Sequence, residues 1–316
     1  MRPALGLGAN LGGASSRLMI AIAVPLLVQL FALPAARAWD SRTHEMITRL
    51  AVEAMPPSAF KMFLQRNEKL LEHLSVEPDS KLKRLYGEAE QRRHFIDIDF
   101  YDSGDPFSQL DPSLANTEEK FGKANVERWG TLPWTIEEFS NGLSQQLGQS
   151  VHSRNCATIL MLAGYLAHYV GDSTQPLHAT SHFDGFAQDR GVHHRIEDAT
   201  DHEAARLGDL ARSACQTRDI GSVWIATLAE LRHSHTLVMQ LIAGDRAARA
   251  ASHGNFDSYE RELMRREGAM IAGQIARGAT LLASIWFYEW ERAGRPAVCN
   301  ASVRIRRSAQ SPTFWR

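Results

Sequence analysis

Cysteine is scarce in this chain: Cys156, Cys215 and Cys299 are the only three among 316 residues. An odd and sparse set permits one disulfide and a leftover thiol, and excludes a fold built on disulfides. An excess of one charge is missing too, with Lys+Arg 35 against Asp+Glu 36, which argues against a broad basic surface that grips polyanions by counterion release. Alternating apolar and polar runs of the strand type are few, and no fixed-period repeat is evident. What remains is globular: 44% hydrophobic residues supply a sizeable core and exclude a disordered or collagen-like chain.

Acidic residues are absent from Met1 to Ala38, where Arg2 and Arg17 precede an apolar run from Leu18 to Leu33 and Ala36-Arg37-Ala38 forms a small-x-small close. This reads as a secretory signal peptide, residues 1–38, removed before Trp39. Pro25 and Gln29 interrupt the run, which falls short of the roughly 20 apolar residues a membrane span needs. Its removal, with three arginines and no acid, leaves 278 residues and moves the formal charge from −1 to −4. The protein is therefore expected to be secreted or periplasmic, with no permanent membrane span.

The apolar pattern beyond Trp39 is helical. Met46, Ile47, Leu50, Ala51, Ala54 and Met55 recur at three- and four-residue steps until Pro56-Pro57 ends the run. Cys156 to Val170 is apolar on nearly every face, the signature of a helix surrounded by others, and further runs cover Val223 to Ile242 and Tyr259 to Trp290. Asp97 to Leu114, with its Asp, Gly, Pro and Ser, and Arg128 to Trp134, with its Trp-Gly and Pro-Trp, are expected to be loops. The fold class is all-α, a single multi-helix domain over residues 39–295 followed by a basic, flexible tail over 296–316.

Several of the thirteen histidines pair with carboxylates at helical spacing. His168 and Asp172 stand four apart, hence on one face of the apolar helix, and His178 follows just beyond it. A buried imidazole and carboxylate are satisfied either by each other or by a metal. Downstream, His193 with Glu197 and His194 with Asp198 offer overlapping pairs, each four apart. Arg93-His94-Phe95-Ile96-Asp97 is a third cluster, with Asp79 fifteen residues before the histidine. The fourth element is the processed end itself: Trp39 would bring a free amino group and its own carbonyl, with His44 five residues on.

In this order the motifs resemble the zinc-dependent phospholipase C and nuclease S-one/P-one superfamily, all-α enzymes with three zinc ions in a cleft. The resemblance implies one zinc held by Asp79, His94, His168 and Asp172, and one held by His178, His193 and Glu197. It implies a third held by the amino and carbonyl groups of Trp39, His44 and the other oxygen of Asp172. Asp79 and Asp172 would be the catalytic carboxylates, cleavage of a phosphodiester following from a metal-activated hydroxide. A basic side chain near Asp79 would balance the transition-state charge, with Lys81, Lys83 and Arg84 in range.

Substrate evidence divides. His193-x-x-x-Glu197 and the short step from His178 to His193 resemble the phospholipase branch, whereas the Trp39 to His44 and Asp79 to His94 steps, or a His194 and Asp198 pair, resemble the nuclease branch. Phe95 and Asp97 are candidate substrate contacts, and Trp129 and Trp134 are read as packing residues. The acidic balance favours a phospholipid or other small phosphodiester over single-stranded nucleic acid. A non-catalytic zinc-binding protein that keeps the ligands is the reading from another class.

Overall fold

Caps and prolines decide where the helices start and stop. Asp40 caps α1 (Ser41–Ala54), its carboxylate accepting from the Ser41 amide, and Met55 turns extended because Pro56 follows it. The computed structural model describes residues 39–101, 104–299 and 302–303. The proposed signal peptide and residues 304–316 of the expected tail lie outside the described residues.

After α1 come α2 (Ala59–Arg66), α3 (Glu68–Leu74), α4 (Lys83–Tyr86), α5 (Glu88–Gln91), α6 (Leu114–Phe121) and α7 (Lys123–Trp129). The long elements follow: α8 (Leu132–Gly148), α9 (Cys156–Ser173), α10 (Val192–His202), α11 (Ala204–Arg212), α12 (Val223–Thr236), α13 (Val238–Ser252) and α14 (Phe256–Arg292). Among the described residues there is no strand, so the class is all-α. These helices gather into one compact unit.

α9 is the inner helix. From Ile159 to Ser173 all its residues but Met161 are buried, and it packs against α1, α3, α8 and α14. The rim of α14 is capped by Asn255, which accepts from the Ser258 amide. By length and composition α14 could cross a bilayer, yet 78% of its most apolar stretch is buried inside the protein, as the core helix of a folded body would be.

Three expectations need correction. Arg128 to Trp134 is not a loop but the end of α7 and the first turn of α8, joined through Gly130 and Thr131. Pro133 sits in the first turn of a helix, where its missing amide costs nothing. Asp97 to Leu114 includes two short 3-10 turns, Ile98–Phe100 and Pro106–Gln109, and the start of α6. The run from Val223 to Ile242 breaks at Leu237 into α12 and α13, where Thr236 bonds back to the His233 carbonyl and Ser234 reaches across to Ser173.

Cys156 pairs with Cys299, leaving Cys215 half-buried and free. The tail expected from residue 296 is thus fastened at its start: the disulfide holds it to α9, Val298 is buried, and the Val303 amide donates to Asn67.

Candidate metal centre

The C-terminal turns of α9 carry His168 and Asp172 inward, both fully buried. Asn155 caps this helix, and its end is held by Gln274, which donates to the Thr174 carbonyl, and by Ser234, which donates to Ser173. His178 lies in the 3-10 turn Pro176–Ala179, started by Pro176 and by Gln175 capping the Leu177 amide. The segment after α5 runs beside that turn. Ile96 donates to the His178 carbonyl at 2.9 Å, and His178 Nδ1 donates to the His94 carbonyl at 2.6 Å. These two bonds bring together residues far apart in sequence. Asp79 comes from the π-helical turn Pro78–Leu82, a rare geometry that recurs at functional sites.

Three groups of potential metal ligands result: Asp79, His94 and His168; His44, His168 and Asp172; and His178, His193 and Glu197. In the first, His94 Nδ1 lies 2.9 Å from His168 Nε2 and 3.5 Å from Asp79 Oδ1. Asp172 Oδ2 joins them, 3.0 Å from His94 and 3.4 Å from His168. Its other oxygen faces His44 Nε2 at 3.4 Å, and the His44 ring stacks on that of His168. In the remaining group, His193 Nε2 is 2.6 Å from Glu197 Oε1 and 3.1 Å from His178 Nε2.

These residues fit divalent metal. Donors about 2.0–2.1 Å from a tetrahedral ion sit roughly 3.4 Å from one another, and the separations here scatter around that value. Both nitrogens of His44 and Oδ1 of Asp172 are buried without a hydrogen-bond partner, a burial that costs about 1–3 kcal/mol per group if nothing satisfies it. Burial pushes His44, His94 and His168 well below the usual imidazole range, so each offers a lone pair. Burial, reinforced by Asp79, pushes Asp172 well above the usual carboxylate range, and burial raises Glu197 to about 7. Clustered acids with so little compensating charge are what a dication neutralises.

Gly171 allows the His44 approach. A Cβ there would stand 2.8 Å from His44 Nδ1. Trp39 is buried at the head of α1. Among the three bases near Asp79, Lys81 bonds Glu77 and Arg84 is exposed, whereas Lys83 is nearly buried and donates to Asp79 Oδ1. His194 and Asp198 pair on the outer face of α10, away from the cluster. Phe95 is half-buried over Gly130, and Asp97 is half-buried, raised to about 7 by burial and then by Asp99. Trp129 packs on Phe100, Tyr101 and Phe121, and Trp134 on Trp224.

Sequence reasoning missed Gln175, which donates to Glu197 Oε1 at 3.1 Å, and Glu90, whose Oε1 lies 3.1 Å from His94 Nε2 and accepts from Tyr169. The four-residue step from Glu90 to His94 was the available signal.

No family model matches the chain, and no curated protein matches it in sequence. Among solved structures the chain is similar to the alpha-toxin from Clostridium absonum, at 15% identity and a TM-score of 0.47 over 81% of this chain. It is similar also to an alpha-toxin of Clostridium perfringens from an avian strain, at 16% identity and a TM-score of 0.47 over 82%. The chain spans 65% of the length of each toxin.

Proposed function

We propose that this chain is an exported zinc-dependent hydrolase of phosphodiester bonds, phospholipase C-like in its substrate, acting through residues 39–295 after cleavage before Trp39. The donor sets of imidazole nitrogen and carboxylate oxygen suit zinc. Asp79, His94, His168 and Asp172 would hold one ion, and His178, His193 and Glu197 another. His44, the second oxygen of Asp172 and the amino and carbonyl groups of Trp39 would hold the third.

Bound there, zinc supplies a Lewis acid for a phosphoryl oxygen and draws the pKa of water toward neutrality. The chain's own residues do the rest. Asp172 spans two of the groups with its two oxygens and so fixes their spacing. Lys83, beside Asp79, keeps a positive charge at the edge of the cluster to balance phosphate oxygens. Phe95 and Asp97, on the irregular segment that follows His94, would contact the substrate.

The observation that carries the phospholipase reading is the identity of the inward acid on α10. Glu197, not Asp198, is buried with His193 and His178, and a glutamate after a short His to His step is what the resemblance assigns to that branch. The test is hydrolysis by zinc-loaded protein beginning at Trp39, on a phosphatidylcholine emulsion and in parallel on single-stranded DNA and RNA. Release of phosphocholine from the emulsion is expected. Nucleotide release instead would make the chain a nuclease, and zinc uptake without either activity a binding protein. Residues added ahead of Trp39 should lower zinc content and activity, because a peptide nitrogen cannot donate as an amine does; equal content and activity would remove Trp39 from the ligand set.

A further inference from the structure

We propose that Glu90 is a positioning residue that fixes which nitrogen of His94 faces the metal, an inference that rests on the zinc reading above. Three histidines of the cluster have their outward nitrogen held. His168 Nδ1 donates to the Ser75 carbonyl at 2.8 Å and His178 Nδ1 to the His94 carbonyl at 2.6 Å. A carbonyl only accepts, so both rings carry their proton on Nδ1 and turn a bare Nε2 inward. His94 is reversed. Its Nδ1 faces His168, Asp172 and Asp79, while its Nε2 faces Glu90.

Alone among these three partners, Glu90 is a carboxylate. It is fully buried on α5, one helical turn before His94, and the Tyr169 hydroxyl donates to the same oxygen at 2.6 Å. Tyr169 follows His168 on α9, so one helix sets both a ligand and the group that orients the carboxylate. With Oε1 accepting twice, His94 keeps its proton on Nε2 and its lone pair on Nδ1. A carboxylate behind an imidazole also raises its basicity toward a metal. Without Glu90, the ring is free to protonate Nδ1 and donate to Asp172 Oδ2, 3.0 Å away, which removes the donor.

Two measurements test this. Long-range nitrogen–proton correlation spectra of the metal-free wild-type protein are expected to show His94 with its proton on Nε2 and His168 with its proton on Nδ1. Chelator competition with zinc, and the visible spectrum with cobalt, then compare wild type with Glu90→Gln and Tyr169→Phe. Glutamine keeps the size but can turn an amide donor toward Nε2. Glu90→Gln should weaken one site about 10- to 100-fold and alter the cobalt spectrum with helical circular dichroism intact, and Tyr169→Phe should do the same to a smaller extent. Wild-type affinity and spectrum in Glu90→Gln, or a proton on His94 Nδ1 in wild type, overturns the inference. Should Glu90→Gln fail to fold, the wild-type spectra decide it. A wild-type protein that takes up neither metal overturns the zinc reading and this inference with it; uptake with an unaffected Glu90→Gln overturns this inference alone.

Discussion

On α10 the same pattern, a histidine four residues before an acid, occurs twice with a one-residue offset, and the two copies meet opposite environments. His193 and Glu197 are 5% and 3% exposed with nitrogen and oxygen 2.6 Å apart. His194 and Asp198 are 3.3 Å apart with side chains 72% and 35% exposed. Spacing brings each pair into mutual reach, but the stripe of Val192, Ile196 and Ala199 decides which pair turns inward. In water such a pair contributes about 0–1 kcal/mol and holds nothing further. Inside, its donors are stripped of solvent and gain from a cation.

The largest expected effect falls where the interior donors are shared. Asp172 gives one oxygen to the pair of His94 and His168 and the other to His44. Asp172→Asn keeps the size and removes the charge, so at least one metal should be lost and phosphodiester hydrolysis should drop by orders of magnitude, with the helical fold retained. Metal analysis and turnover measure this. Full occupancy with full activity would undo the idea that one carboxylate organises two sites.

Next in size is the contrast on α10. Glu197→Ala should lose one metal and most activity, whereas Asp198→Ala should leave content unchanged and stability within about 0.5 kcal/mol, as for other surface changes. Metal loss from the Asp198 variant with the Glu197 variant intact would reverse the assignment of the two faces.

The contrast also marks what could be read from sequence. α9 with its His168 and Asp172 was legible because an apolar run leaves few positions for polar groups and four-residue steps fix a face, and His178 because it follows just beyond the helix end. α1 was legible because Pro56-Pro57 admits one ending. The first turn of α8 was not, because Pro133 and Trp134 have the composition of a loop and only the backbone tells a helix start from a turn. At the break at Leu237 the Leu237 amide turns to the Ser234 carbonyl while the Ser234 hydroxyl donates to the Ser173 carbonyl, a tertiary bond that no local pattern records. Tyr169 and Gln175 act through partners on other elements, and local periodicity carries no record of those, whereas Glu90 stands four residues before His94, a step that went unread. Lys83 stands four residues after Asp79, the same kind of step, so its choice over Lys81 and Arg84 was open to sequence reading and went unread.

A smaller effect is expected at the approach of α1 to α9. Gly171→Ala would place a Cβ 2.8 Å from His44 Nδ1 and 3.0 Å from Cε1. The ring is buried and lies against its neighbour, so relief requires His44 to shift from Asp172. Overpacking of this sort costs about 1–3 kcal/mol. Thermal unfolding of the metal-free protein should register that cost, and zinc titration should show the His44 group weakened while the His178, His193 and Glu197 group is spared. Unchanged binding at all sites would mean that His44 is not held by this contact.

The smallest effect is a pH dependence that belongs to the inner pair. Burial raises Glu197 to about 7 and lowers His193 to about 4. In the metal-free protein near pH 6, Glu197 therefore holds a proton while His193 is already a bare base. A metal entering this group must displace the Glu197 proton and none from His193. Affinity at this site should thus weaken as pH falls below about 7, approaching tenfold per pH unit for one displaced proton, and lose this dependence above it. Glu197→Gln cannot carry that proton, so its weaker binding should lack this contribution to the slope. Chelator competition from about pH 5.5 to 8 spans the range in which a carboxyl so raised titrates. The same slope in wild type and Glu197→Gln would show that the protons released come from elsewhere, with Asp172 and Glu90, both fully buried acids of the cluster, as the groups to examine.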